Sequence, residues 1–161
     1  MGTEMAIAAE DLPLLKEISP GIYRGAQPTE EGYRKLKAMS IKTVINFRHE
    51  PNVIAQGKEW TEAEGMNYIS IPWTIFGPLD VGTIQRFFDV IEDPAKHPIF
   101  FHCRRGVERT GLMGAFYYIR YENLSAEEAY TKAFNGYPLK LIWKPFVKIK
   151  LEKFKDAVKK N

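Results

Sequence analysis

The chain has 161 residues, 27% of them charged and 45% hydrophobic, with a formal net charge of +3. That length fits one domain able to bury its own core. One cysteine excludes an internal disulfide and a multi-cysteine zinc site, no apolar run reaches a membrane span, and His49, His97 and His102 lack metal-ligand spacing, so neither metal nor cofactor is expected.

Residues 1–20 read as a mixed, peripheral N-terminal segment, and 21–161 as a single domain without repeats or interior linkers. The start, "MGTEMAIAAEDLP", lacks the charged and long apolar regions of a signal peptide, although "AIAAED" is similar to the small-residue tail of a cleaved one. A soluble protein is expected, cytoplasmic or exported. "GIYRGAQ" (21–27) predicts a short strand and turn. "TEEGYRKLKAMS" (29–40) predicts a helix capped by Thr29, with Tyr33, Leu36 and Met39 at helical spacing. The apolar, β-branched "KTVINF" (42–47) predicts a buried strand. A helix opened by Pro51 follows (51–66), then a strand (67–72) and a loop (73–79). Residues 81–93 place Val81, Ile84, Phe87, Phe88 and Ile91 on one helical face, with Asp80 as its cap. "HPIFFH" (97–102) is a third apolar strand, and "TGLMGAFYYIRY" (110–121), apolar nearly all round, predicts a central buried helix. Ser125 and Glu128 form a capping box for the next helix, and a last one starts near Pro145.

Strands alternating with helices predict an α/β fold, with a central mostly parallel sheet of about four to five strands flanked by helices. In such sheets ligands sit at the carboxyl ends of the strands. Cys103 lies just past one of those ends.

"FFHCRRGVERTGLM" (100–113) carries the chemistry. A loop between a strand and a helix presents backbone N–H groups to an anion, helped by the helix dipole. Gly106 lets the backbone curl. Arg109, in the first turn of the helix, can grip two phosphate oxygens with its planar fork. With Arg104, Arg105, Val107 and Glu108 these residues form the expected phosphate-binding loop. The same positive surroundings favour the thiolate of Cys103. Thr110 can donate to that sulfur, and His102 orders the loop rather than acting as a base.

Charge is uneven along the chain. Residues 1–138 hold 15 Lys/Arg against 18 Asp/Glu, whereas 139–161 hold 8 Lys against 2 acids. The basic end is either a solvated helix or an electropositive rim that draws in anions. Nucleic acid is not expected, since no aromatic-interleaved basic run is present.

His-Cys, five residues, then Arg-Thr resembles the signature loop of the protein tyrosine phosphatase superfamily. The small size resembles its dual-specificity branch. "IYRGAQPTEEGYRKLKAMSIKTVINFRHE", the loop, and "GYPLKLIWKPF" are similar to bacterial dual-specificity-like and phytase-like cysteine phosphatases, over roughly residues 20–150. The resemblance implies in-line attack of Cys103 on phosphorus, a cysteinyl-phosphate, and its hydrolysis by water without a metal. It also implies an aspartic general acid after the 67–72 strand. There "WTIFGPLDV" puts Phe76 in the expected place, leaving Asp80 and Glu108 as the candidates. Glu50 is expected to pair with Arg109, and Arg48 to face either pocket or solvent.

Arg104 and Arg105 make the loop unusually basic, and Lys140 and Lys144 are expected at a substrate rim. These cations favour inositol polyphosphates. The alternatives are a dual-specificity protein phosphatase, with Trp73 and Phe76 lining a pocket or packing in the core, and a non-catalytic phosphate-binding module. A rhodanese-like sulfurtransferase is disfavoured by the length of the loop. The oligomeric state is left open.

Overall fold

A computed structural model describes residues 10–160. The similarity of "AIAAED" to a signal-peptide tail therefore falls largely outside the described residues. Five strands form one sheet in the order β1-β2-β5-β3-β4. They are β1 (Lys16–Ser19), β2 (Ile22–Gly25), β3 (Thr43–Asn46), β4 (Asn67–Ser70) and β5 (Ile99–His102). β2, β5, β3 and β4 run parallel, and β1 closes one edge antiparallel to β2. No element was read from the sequence at β1, because its four residues are half polar and lie on an edge. Its pairing shifts register between Glu17 and Ser19.

The parallel sheet needs cover on both faces, and side chains alternate across it accordingly. Val44 and Phe100 point to a smaller cluster with Tyr33, Leu36 and Met66. This cluster sits under α1 (Glu30–Ala38) and α2 (Pro51–Ala63). Their neighbours Ile45 and Phe101 belong to the larger cluster on the other face. There α3 (Val81–Ile91), α4 (Glu108–Glu122), α5 (Ala126–Phe134) and α6 (Lys144–Phe154) pack. The caps read from the sequence are in place. Thr29 accepts from the Gly32 amide, Asp80 from the Thr83 amide, and Ser125 and Glu128 form the reciprocal box.

Helix α4 is the centre of the molecule. Every residue from Glu108 to Ile119 is buried, which explains its lack of a polar face. A Cβ on Gly111 would come within 2.5 Å of the Phe134 ring, so glycine is what lets α4 and α5 approach. The helix begins at Glu108, two residues before the sequence-based start, so the arginine loop is shorter than its spelling suggests.

Candidate active site

The loop from Cys103 to Val107 joins β5 to α4 at the carboxyl end of the sheet. Cys103 is fully buried. Gly106 has φ +73°, and a Cβ there would lie 2.7 Å from the Ala26 nitrogen. Only glycine fits both the turn and the close approach of the β2 end.

Three carbonyls of this loop are held from outside. The Cys103 carbonyl is 3.2 Å from Nδ1 of His102. The Gln27 amide donates to the Arg104 carbonyl at 3.1 Å. Arg24 donates from Nη2 to the Gly106 carbonyl at 3.2 Å. Among the described residues, the amides of residues 104–107 make no backbone hydrogen bond. Carbonyls engaged outward and amides left unengaged are the pattern of an anion nest.

Burial sets the state of His102. Desolvation depresses its pKa to about 4, with the nearby Arg48 and Arg109 charges also lowering it and its bond to the Cys103 carbonyl opposing. It is a neutral imidazole, stacked on Phe100 at 5.5 Å, which donates from Nδ1 and orders the loop.

Arg109 is 9% exposed in the first turn of α4. Its Nη1 donates to the carbonyls of Phe47 (3.4 Å) and Trp73 (3.3 Å), at the ends of β3 and of the segment after β4. Two backbone carbonyls aim the fork, and Glu50 does not. The expected Glu50–Arg109 pair is corrected here. Glu50 takes both Nε (3.3 Å) and Nη2 (2.5 Å) of Arg48, two residues before it. Chiefly through that bond, its carboxyl is held down to about 2. Arg48 reaches Gln27 Oε1 at 3.2 Å, so the Arg48–Glu50 pair leans on the residue that pins the loop. Arg48 thus faces the protein rather than solvent.

A cavity of about 340 Å³ opens beside the loop. Glu108 and Arg109 form its floor, Thr74–Phe76 and Trp143 its aromatic side, and His49 its rim. Phe76 stacks on Trp143 with centroids 4.3 Å apart. Trp73 instead packs in the core, edge-on to Phe47. Glu108, 4% exposed, lies 3.5 Å from Arg105. Arg104 is exposed, and so are Lys140 and Lys144 on either side of Trp143. The Thr110 hydroxyl is buried without a hydrogen-bond partner.

Asp80 stands at the start of α3, where the sequence also places a cap. Its exposed carboxylate caps α3 at 2.7 Å from the Thr83 amide, and that bond lowers its pKa.

Arg24, His49 and Trp143 were missed in the sequence. Arg24 is 1% exposed in β2. Besides Gly106 it binds the Ala133 carbonyl at 2.7 Å and lies 4.0 Å from the centre of the Tyr137 ring. Desolvation lowers its pKa, opposed by nearby acidic groups that include Cys103. A lone arginine inside an apolar strand was the available signal.

The fold is that of a dual-specificity and protein-tyrosine type phosphatase domain, and comparison with known proteins agrees. Residues 7–138 match the family described as "DSP-PTPase phosphatase fused to NAD+ Kinase", and the chain belongs to that family. The matched domain is thus of the dual-specificity and protein-tyrosine phosphatase type. It is 28% identical over 116 residues to the probable NAD kinase 2, chloroplastic, of Oryza sativa, across 64% of this chain and 11% of that protein. It is 26% identical over 105 residues to the dual specificity protein phosphatase TpbA of Pseudomonas aeruginosa (65% of this chain, 46% of TpbA). It is 28% identical over 103 residues to the inositol diphosphatase DSP3 of Arabidopsis thaliana (60% and 49%). The chain thus spans less than half the length of these relatives. The crystal structure of P. aeruginosa TpbA shares the fold, with a TM-score of 0.72 at 21% identity over 89% of both chains. TpbA has also been crystallised with pTyr.

Proposed function

We propose that this domain hydrolyses phosphomonoesters through a cysteinyl-phosphate, with inositol polyphosphates as its substrate class. The observation that carries the chemistry is the buried Cys103 at the head of a loop with three carbonyls held from outside and its amides left unengaged, together with an Arg109 aimed by two carbonyls. The Cys103 thiolate attacks phosphorus in line, forming the S–P bond as the ester P–O bond breaks. The loop amides and Arg109 hold the equatorial oxygens. The leaving oxygen takes a proton from His49, which lines the cavity with Nδ1 3.7 Å from the Glu50 carboxylate. Glu108, the other candidate acid, is engaged by Arg105. Water then attacks phosphorus and gives its proton to the now neutral His49, the S–P bond breaks, and inorganic phosphate leaves with the thiolate restored. The Thr110 hydroxyl, otherwise without a partner, donates a hydrogen bond to the departing thiolate.

The substrate reading rests on charge. Arg104, Lys140 and Lys144 are exposed and make no ion pair among the described residues, and the relative DSP3 is an inositol diphosphatase. The Phe76–Trp143 wall favours a second reading, an aromatic phosphotyrosine, and TpbA binds pTyr. The test is phosphate release from inositol hexakisphosphate and from a phosphotyrosine peptide at matched concentration. Preference for the inositol phosphate, lost in Arg104→Ser, is the expected result. Preference for the peptide makes the second reading correct, and hydrolysis of neither makes the loop a binding module. For the proton donor, His49→Asn should slow alkyl phosphates ~10²-fold while largely sparing aryl phosphates with good leaving groups.

A further inference from the structure

The surface beside the cavity is apolar where a solvated helix should be polar. Leu141 is 83% exposed, Ile149 67%, Ile142 64% and Phe76 52%. Ile142, Phe146 and Ile149 are spaced by four and three residues, which places them along one face. The opposite stripe of α6, with Val147, Leu151 and Phe154, is buried. The exposed residues are not scattered. Phe76 stacks on Trp143 and meets Phe146 edge-on at 4.7 Å, making a continuous apolar ridge of the kind that marks an interaction site.

Cations border this ridge. The two acids in residues 139–161 are each paired with a lysine, Glu152 with Lys155 and Asp156 with Lys159. Lys148 and Lys150 fall on either side of Ile149 at about 100° per residue, and Lys153 lies one turn beyond it. None of these three pairs with a carboxylate among the described residues. Exposure this high means that the side chains stand out from the surface rather than line a groove for a peptide. Protruding aliphatic and aromatic groups flanked by lysines whose stems can snorkel are the composition of an interfacial helix.

We propose that the Leu141–Ile149 ridge with Phe76 docks on an anionic lipid bilayer. Trp143 belongs both to the ridge and to the cavity wall, so docking brings the cavity mouth to the membrane surface. The apolar side chains enter the headgroup boundary while Lys148, Lys150 and Lys153 face anionic headgroups. The proposal does not depend on the chemistry assigned to Cys103.

The test is co-sedimentation of the whole chain with phosphatidylcholine vesicles, with and without one third phosphatidylserine. Binding should require phosphatidylserine and weaken as salt rises. Ile142→Ser/Ile149→Ser should lower affinity ~10-fold or more. Lys148→Gln/Lys150→Gln/Lys153→Gln should lower it ~100-fold at low salt. Thermal unfolding of each variant confirms that it folds. Three results would overturn the proposal. One is no gain from phosphatidylserine. Another is wild-type binding by the isoleucine variant, which would mean charge attraction alone. The third is preference for a soluble acidic protein over the vesicles.

Discussion

The signature loop and the ridge after Tyr137 border the same cavity, and they are built in opposite ways. The loop is enclosed. Cys103, Gly106 and Val107 are buried, and β2, β5 and the segment after β2 each clamp one of its carbonyls. The ridge is anchored by Trp143 and Val147, and its other large side chains stand in solvent. An anion nest must be held to a fraction of an ångström, because its donors are useful only where charge develops. A wall that selects substrates or surfaces needs only shape and charge. Substitutions in the loop region should therefore act on turnover and stability, and those in the ridge on affinity.

The largest effect expected of this contrast is on Arg109. Arg109→Lys keeps the charge but cannot span the Phe47 and Trp73 carbonyls while gripping phosphate, so kcat with an aryl phosphate should fall ~10²–10³-fold. Ridge substitutions such as Phe76→Ala should instead raise KM several-fold with kcat near wild type, measured on the same substrate. A kcat loss at Phe76 equal to that at Arg109 would erase the distinction.

Arg24 sharpens the comparison from behind the loop. Arg24→Met leaves the Gly106 and Ala133 carbonyls unpaired inside the protein, at a cost of about 1–3 kcal/mol each. A fall of ~10-fold in kcat with KM little changed is expected, with partial recovery in Arg24→Lys. A drop in melting temperature without any change in kcat would reduce Arg24 to a packing role.

His102 gives the loop a pH signature. Its folded-state pKa, about 4, lies below the ordinary 6.5, so the unfolded chain binds the extra proton in this window. The stability it contributes is fully present above pH 6.5 and is lost as pH falls from 6.5 toward 4. The total is on the order of 3 kcal/mol. Urea midpoints of wild type should decline across that window, and those of His102→Gln should be flatter. Glu50 acts lower, since its stabilisation is lost only as pH falls from 4.5 toward about 2.

The smallest effect is expected at Asp80. Asp80→Ala removes the cap of α3 and should lower the melting temperature slightly with turnover unchanged. A large loss of kcat there would make Asp80, rather than His49, the general acid.

Most of the architecture was legible in the sequence because parallel strands buried on both faces, such as "TVIN" and "IFFH", carry adjacent apolar residues that face opposite sides of the sheet. The strand–loop–helix turn at Gly106 was legible too, since glycine, arginine and cysteine at those spacings encode local geometry. What was not legible depends on long-range pairing. Whether Glu50 reaches Arg109 or the nearby Arg48 is decided by how the β3 end turns. Asp80 looks alike as cap or acid until the direction of the 73–79 loop is known. Arg24 contacts residues 82 and 109 positions away, which no local pattern records.

The most direct test of the central claim is rapid acid quench of the protein during turnover of an aryl phosphate, followed by mass spectrometry of its peptides, beside a Cys103→Ser control. The account predicts one phosphoryl group on Cys103 in the wild type, and a serine variant whose turnover is lower by roughly 10³-fold or more. Turnover by the serine variant at the wild-type rate, or a phosphoryl group found only on another residue, would contradict it.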